Sequence, residues 1–328
     1  LSFSSSGSNK LKNTNSLTTL INNNLNFITK DFISFNGIIN NFGFYFKNTN
    51  KVGKKVSTLK NSPQVNLMNI INFESKYPLI KIDENHYNSL IPKLSFRINP
   101  TDMKNYKNED RKINTNNIFS INRLGLDDTF EEGKSLTLGF DYKKESLKDI
   151  NKFFEFKLAS VLRDTDEKFI PTSSTIGQKS SNIFGTTHSN FSKFLNLNYN
   201  FALDNNLETF EYNSIGLNFN FEKIRTNFDF IEENGKMGDS NALENTTTFN
   251  FNNDNYLSFK TRRNRKINLT EYYDLVYEYK NDCLTAGIKY KKTYYQDRDY
   301  KPKEDLLFTI TLFPLTQYEQ KVDNNLYN

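Results

Sequence analysis

No stretch of the 328 residues approaches the ~18 consecutive apolar positions that a membrane-crossing helix needs, which excludes a helical membrane protein. Tryptophan is absent and cysteine occurs once, as Cys283, so no disulfide framework can form within the chain. The histidines, His86 and His188, lie far apart with no cysteine or second ligand at metal spacing, so a zinc site is not expected. No glycine-rich phosphate loop precedes a helix and no nucleophile elbow occurs, which leaves the usual nucleotide and hydrolase classes unsupported. No catalytic residue, cofactor or metal is therefore expected. Charge of one sign is also lacking: 43 basic against 38 acidic residues give a net +5, too balanced for a nucleic-acid binder. Leu1 to Lys10 is a polar Ser/Gly/Asn stretch without the charged start and apolar core of an export signal. With the strand pattern below, that favours a fragment over a complete intracellular chain.

What is abundant is aromatic: 30 Phe and 18 Tyr argue against long-range disorder. A mean hydropathy of -0.70 still suits a membrane barrel, in which alternate residues meet lipid and the rest face a polar lumen. The clearest alternation is Leu195, Leu197, Tyr199, Phe201 and Leu203, interleaved with Asn196, Asn198, Asn200 and Ala202. It recurs at Leu136–Tyr142, Leu217–Phe221, Tyr273–Tyr279, Leu284–Tyr290 and Leu306–Leu312. Turn-forming clusters such as Asn252-Asn253-Asp254-Asn255 and Asn281-Asp282 separate these runs, so the expectation is an all-β, antiparallel up-and-down transmembrane β-barrel.

Such barrels have short periplasmic turns and longer outer loops. If Asp305 to Phe313 ends in the periplasm, Gln296–Glu304 becomes an outer loop and Asn281–Cys283 a periplasmic turn. Continuing backward, Asn252–Asn255 is periplasmic and Glu233–Leu243 an outer loop. Tyr272, Tyr273, Tyr294, Tyr295 and Tyr300 sit near strand ends, as an interfacial girdle or as ordinary sheet-surface tyrosines. The densest basic run, Lys260, Arg262, Arg263, Arg265 and Lys266, reads as a solvated loop rather than a phosphate site.

The last part of the chain, NLTEYYDLVYEYKNDCLTAGIKYKKTYYQDRDYKPKEDLLFTITLFPL from Asn268, resembles the end of the LptD (organic solvent tolerance) family: a tyrosine-rich strand, a cysteine-containing turn and two last strands in order. Further matches follow the family's order: YPLI at Tyr77, LIPKLSF from Leu90, NEDRK from Asn108, FSINRLGLDDTFEEGKSLTLGF from Phe119 and SSNIFG from Ser180. The resemblance divides the chain into weakly matched barrel strands at 1–72, an LptD-like C-terminal barrel portion at 73–315 and a polar tail at 316–328. The family's N-terminal periplasmic domain and first strands are expected upstream of Leu1.

The resemblance implies a function in the outer membrane of a Gram-negative bacterium: assembly of lipopolysaccharide at the cell surface, with lateral exit between first and last strands. The implied partners are lipopolysaccharide, an LptE-like lipoprotein plug, a periplasmic LptA-like bridge acting through the missing domain, and the barrel-assembly machinery. Asp305, Leu306, Leu307, Phe308, Thr309, Ile310, Thr311, Leu312 and Phe313 would form the last strand and one side of the seam. Cys283, by itself a small hydrophobe or chance thiol, would be disulfide-bonded to the N-terminal region. Arg123, Gly125 and Asp127 match a family segment, as a glycine-containing loop held by Arg–Asp contacts or as a lumenal site. Asp128 stands where a basic residue is usual, which weakens a local ion pair. A general porin or receptor barrel, and a secreted β-rich adhesion protein, are the alternatives.

Overall fold

Period-two patterning with β-branched and aromatic residues on one side favours extended chain over helix, and in the computed structural model nearly every such run is a strand. The structure describes residues 1–12, 15–34, 36–56, 59–294, 302–312 and 316–322. The strands are β1 (Ser2–Lys12), β2 (Ser16–Ile28), β3 (Phe32–Ile33), β4 (Ile39–Lys54), β5 (Gln64–Lys76), β6 (Leu79–Ile82), β7 (His86–Asn99), β8 (Gly133–Ser146), β9 (Phe153–Arg163) and β10 (Ile183–Ser192). They continue as β11 (Leu195–Leu203), β12 (Phe210–Asn220), β13 (Ile224–Glu233), β14 (Ser240–Asn250), β15 (Asn255–Asn264), β16 (Leu269–Lys280), β17 (Leu284–Thr293), β18 (Lys303–Leu312) and β19 (Thr316–Val322).

Each strand pairs antiparallel with its neighbours in an up-and-down course that runs from β1 to β19. Two courses are interrupted. β2 and β3 both lie on β4, and Thr29 N–H donates to the Phe42 carbonyl across the gap at 2.9 Å. β5 and β6 both lie on β7, where Pro78, lacking an N–H, breaks the ladder after Tyr77.

Register carries the alternation around the sheet, because residues opposite one another share a face. Leu197, Leu217 and Phe228 fall in one row, and Leu275, Tyr290 and Leu306 in another. Leu138, Leu243, Leu275, Ile288, Phe308 and Ile310 on this outward face are all exposed. So large an apolar surface would aggregate in water, and in a bilayer it is the lipid face. The other face carries Asn198, Asp229, Glu244, Arg262, Asp274 and Lys291.

The connections fall into two ends. One end has short turns at 83–85, 193–194, 221–223, 251–254 and 281–283 and a six-residue connection at 147–152. The other has the longer segments 100–132, 164–182, 204–209 and 234–239, with one four-residue turn at 265–268. The first end is periplasmic and the second outer by the rule that separates short turns from long loops.

Three expectations change. Residues Thr316–Val322 form β19 along β18, where a polar tail was expected. The loop expected at Glu233–Leu243 shrinks to 234–239, because the strands reach Glu233 and restart at Ser240. Lys260, Arg262 and Arg263 belong to β15, so most of the basic run is strand rather than loop.

The lipid face supplies a direct test. Leu197→Arg places a cation toward lipid and is expected to lower folding stability by ~2–4 kcal/mol if it sits near the bilayer midplane. Asn198→Arg, one residue away and facing the lumen, is expected to cost much less. Equilibrium denaturant titration of both variants in lipid vesicles measures the difference, and equal losses would contradict the assigned faces.

Candidate functional site: the lumen and its folded-in loops

The inner face holds more than a polar wall. Segment 100–132, between β7 and β8, and segment 164–182, between β9 and β10, fold back over it. Met103, Ile113, Ile118, Leu124 and Leu126 of the first and Ile170 and Ile176 of the second are buried against Ala159, Val161, Phe184 and Ala202 of the wall. The main apolar core thus lies inside the lumen. Phe119 reaches the wall at Gly139, where a Cβ would stand 3.0 Å from the ring and 2.5 Å from the Leu158 carbonyl, so the inserted segment requires glycine there.

Two polar clusters, one buried and one part-buried, fasten the insertion. In the first, Arg123 grips Glu131 through Nε at 2.6 Å and through Nη2, and its Nη1 donates to Thr137 Oγ1 at 3.0 Å. Arg163 at the end of β9 shares the same carboxylate and donates to the Glu132 carbonyl at 2.8 Å. Burial pulls the Arg123 guanidinium down to about 9, which leaves it charged at neutral pH. Removing Glu131 would strand two buried cations, a loss on the order of 3–5 kcal/mol by analogy with broken buried pairs.

The second cluster centres on Asp128. It accepts from Lys51 Nζ at 2.9 Å, from Lys104 Nζ and from the Tyr106 hydroxyl. Burial alone would raise its carboxyl, but the hydrogen bonds from Lys104, Tyr106 and Lys51 outweigh burial and hold it well below the ordinary carboxylate range. Burial and the same contact push the Tyr106 phenol far above its usual value, and burial pulls Lys104 down. At the outer mouth, Glu167 is raised by burial and by the neighbouring Glu132 carboxylate. Across the lumen, Lys112 pairs with Glu233 at the end of β13, so the insertion ties β4 to β13. Cavities remain above and below it, about 460 Å³ beside Lys107, Glu167 and Lys236, and about 180 Å³ beside Glu74, Lys93 and Phe119.

The expected loop residues are here, with different partners. Arg123 binds Glu131 rather than an aspartate, and Asp127 contributes its carbonyl, which accepts from Lys47 Nζ at 2.6 Å. Gly125 turns the chain at φ +64°, which favours glycine. Asp128 anchors an ion-pair cluster because lysines distant in sequence reach it, where a weakened local pair was expected.

Tyr272 faces the lumen and donates to Glu244 at 2.9 Å, while Tyr273 on the outward side packs edge-on to Tyr294 at 5.8 Å. Tyr295 and Tyr300 lie outside the described residues, as do Phe313 and most of the expected loop Gln296–Glu304. His86 sits 3.5 Å from Asp83, and His188 shares a 3.1 Å hydrogen bond with Asn196.

The family model for LptD, LPS transport system D, matches residues 40–256, which include the inserted segments and the wall they close over. The chain belongs to the LptD family. Its place is therefore the outer membrane of a Gram-negative bacterium, in a family that handles lipopolysaccharide. No curated protein matches the chain. Among solved structures it is similar to a triple mutant of the Rhodopseudomonas blastica porin, at 10% identity over 90% of this chain and 94% of that one, with a TM-score of 0.35. It is also similar to the siderophore receptor PirA from Acinetobacter baumannii, at 7% identity over 91% of this chain and 56% of that one, with a TM-score of 0.40.

In this LptD-family chain Cys283 is exposed and free, in the 281–283 turn at the short-turn end. β18 has partners on both sides, β17 and β19, so among the described residues the outermost strand at this end is β19.

The Asp128 cluster has a defined pH dependence. Its folded carboxyl titrates below the reference value of 3.8, so its stabilisation is complete above that value and fades as pH falls through the lower folded one. Amide protection factors across 100–132, which correct for the intrinsic pH dependence of exchange, are expected to fall in that acid window. In Asp128→Asn exchange should already be faster at neutral pH and should lose that component of the acid response; an unchanged profile would exclude the cluster as an anchor.

Proposed function

We propose that this chain is barrel wall of a lipopolysaccharide translocon, which assembles lipopolysaccharide at the outer-membrane surface. The observation that carries the reading is the LptD family match over a wall that is polar inside and apolar outside. In this reading the saccharide portion moves along the charged lumen wall while acyl chains stay toward lipid, and both leave sideways through a seam. The C-terminal hairpin β18–β19, which contains Asp305–Leu312, supplies one side of that seam. A seam needs weak pairing because an opened backbone edge in lipid is costly.

An LptE-like lipoprotein would contact the inner wall of β14–β18, which lies beyond β13, where the insertion makes its Lys112–Glu233 contact. An LptA-like bridge would deliver substrate through an N-terminal domain, and the barrel-assembly machinery would insert the chain. Leu307 and Thr309 lie in the same rows as Lys289 and Gly287 on the lumen-facing side of β18. Photoreactive groups placed there are expected to crosslink lipopolysaccharide in cells. A passive porin gives no such adduct, and its absence would defeat the transport reading.

Cys283, exposed at the periplasmic end, is proposed to pair with a cysteine of the N-terminal region in an oxidising compartment. The full-length protein and its Cys283→Ser variant should then migrate differently on non-reducing electrophoresis. Identical migration would sink the pairing and leave the transport reading intact.

A further inference from the structure

The basic run on β15 and its turn is sorted by strand geometry into two groups with different surroundings. Lys260 and Arg262 face the lumen and are neutralised there, Lys260 by Glu244 at 2.8 Å and Arg262 by Glu271 at 3.0 Å. Lys266 pairs with Asp239. Arg263 lies on the opposite face, in one row with Leu243 and Phe230, and is exposed. Its guanidinium donates to the Asn268 side-chain carbonyl. Arg265, also exposed, holds its guanidinium 5.3 Å from the centroid of the Phe230 ring. Among the described residues neither guanidinium is ion-paired with a carboxylate.

Both arginines stand at the outer end of the lipid face, since the turn 265–268 is at the long-loop end. Beneath and beside them are Leu243, Phe230 and the aromatic group of Tyr273, which stacks on Phe259 at 5.9 Å and meets Tyr294 edge-on. Aromatic rings at this level mark the boundary between hydrocarbon and headgroups. A guanidinium just above that boundary lies among lipid headgroups and presents a planar donor fork that matches phosphate. We propose that Arg263 and Arg265 bind the phosphate of an outer-leaflet lipid headgroup, whose acyl chains lie along Phe230 and Leu243. The site is separate from the lumen and depends on the membrane orientation of the barrel rather than on the transport reading.

Charge complementarity and continuity with the lipid face select a lipid over a soluble anion. Near an anionic membrane surface each arginine contributes about fivefold in affinity, so two together should be worth about thirtyfold. The test is native mass spectrometry of the protein in detergent, titrated with bis-phosphorylated lipid A and with the dephosphorylated lipid. The expected result is preference for the phosphorylated lipid, about thirtyfold weaker binding by the Arg263→Gln/Arg265→Gln double variant, and wild-type binding by Lys223→Gln, whose change lies in the exposed 221–223 turn at the opposite end of the barrel. Heat-modifiable migration identifies folded protein for each variant, so a folding defect is read separately. Equal affinity of wild type and double variant, or equal binding of the dephosphorylated lipid, would overturn the proposal. A barrel that binds in this way but gives no lumenal lipopolysaccharide adduct would retain the rim site and lose only the transport reading.

Discussion

Backbone hydrogen bonding in a medium without water is the constraint on which the rest depends. Each N–H and C=O in the lipid-exposed wall must find its partner on an adjacent strand, which requires long antiparallel ladders of regular register. Regular register then forces every second side chain to one face. That is why Leu197 and Asn198, adjacent in sequence, meet lipid and lumen, and why Arg262 and Arg263 have unrelated surroundings. Local interruptions occur where the ladder can be bridged, as at Thr29, whose amide still reaches the strand opposite.

The inward face of such a wall is polar and encloses space that water would fill, and here much of it is taken by the chain itself. The insertion is held by apolar burial reinforced with ion pairs, buried at Glu131 and part-buried at Asp128. Glu131 serves two arginines, and the Asp128 carboxylate three donors. Charges in such places are tolerable only while fully partnered. The insertion therefore has few alternative positions, and it ties one group of strands into a buttressed block. The wall from β14 to β18 is patterned otherwise, with lysines and carboxylates facing each other across neighbouring strands, as in Lys260–Glu244 and Lys289–Asp274. This charged surface suits polar cargo or a polar protein plug.

The two ends of the barrel differ in chemistry as well as in loop length. Short turns capped by asparagine side chains, such as Asn281 accepting from the Cys283 and Leu284 amides at 3.1 and 2.8 Å, close one end. At the other, longer segments either fold inward or end in cations beside aromatic rings. Membrane orientation, the exposure of Cys283 and the headgroup-level arginines are thus consequences of the same asymmetry.

By itself the sequence determined the all-β class, the antiparallel meander and the apolar face of its most regular strands, because alternation is a local property that a single strand displays, as Leu195 to Leu203 does. The LptD resemblance was legible in ordered segments such as SINRLGLDD. The inward folding of 100–132 was not legible, because that segment does not alternate and its anchors are distant: Asp128 meets Lys51 77 positions away and Lys112 meets Glu233 121 positions away. Its one sequence signal was a long connection containing Ile113, Ile118, Leu124 and Leu126, apolar residues that a solvated loop would not need. The basic run was visible as charge, but only the faces of β15 separated neutralised lumenal cations from rim arginines that meet no carboxylate among the described residues. Likewise only tertiary pairing revealed β19 beside β18, since a short polar strand has no pattern strong enough to distinguish it from a tail. Local patterning decides which face a residue occupies, and only the tertiary arrangement of strands and inserted segments decides what it meets there.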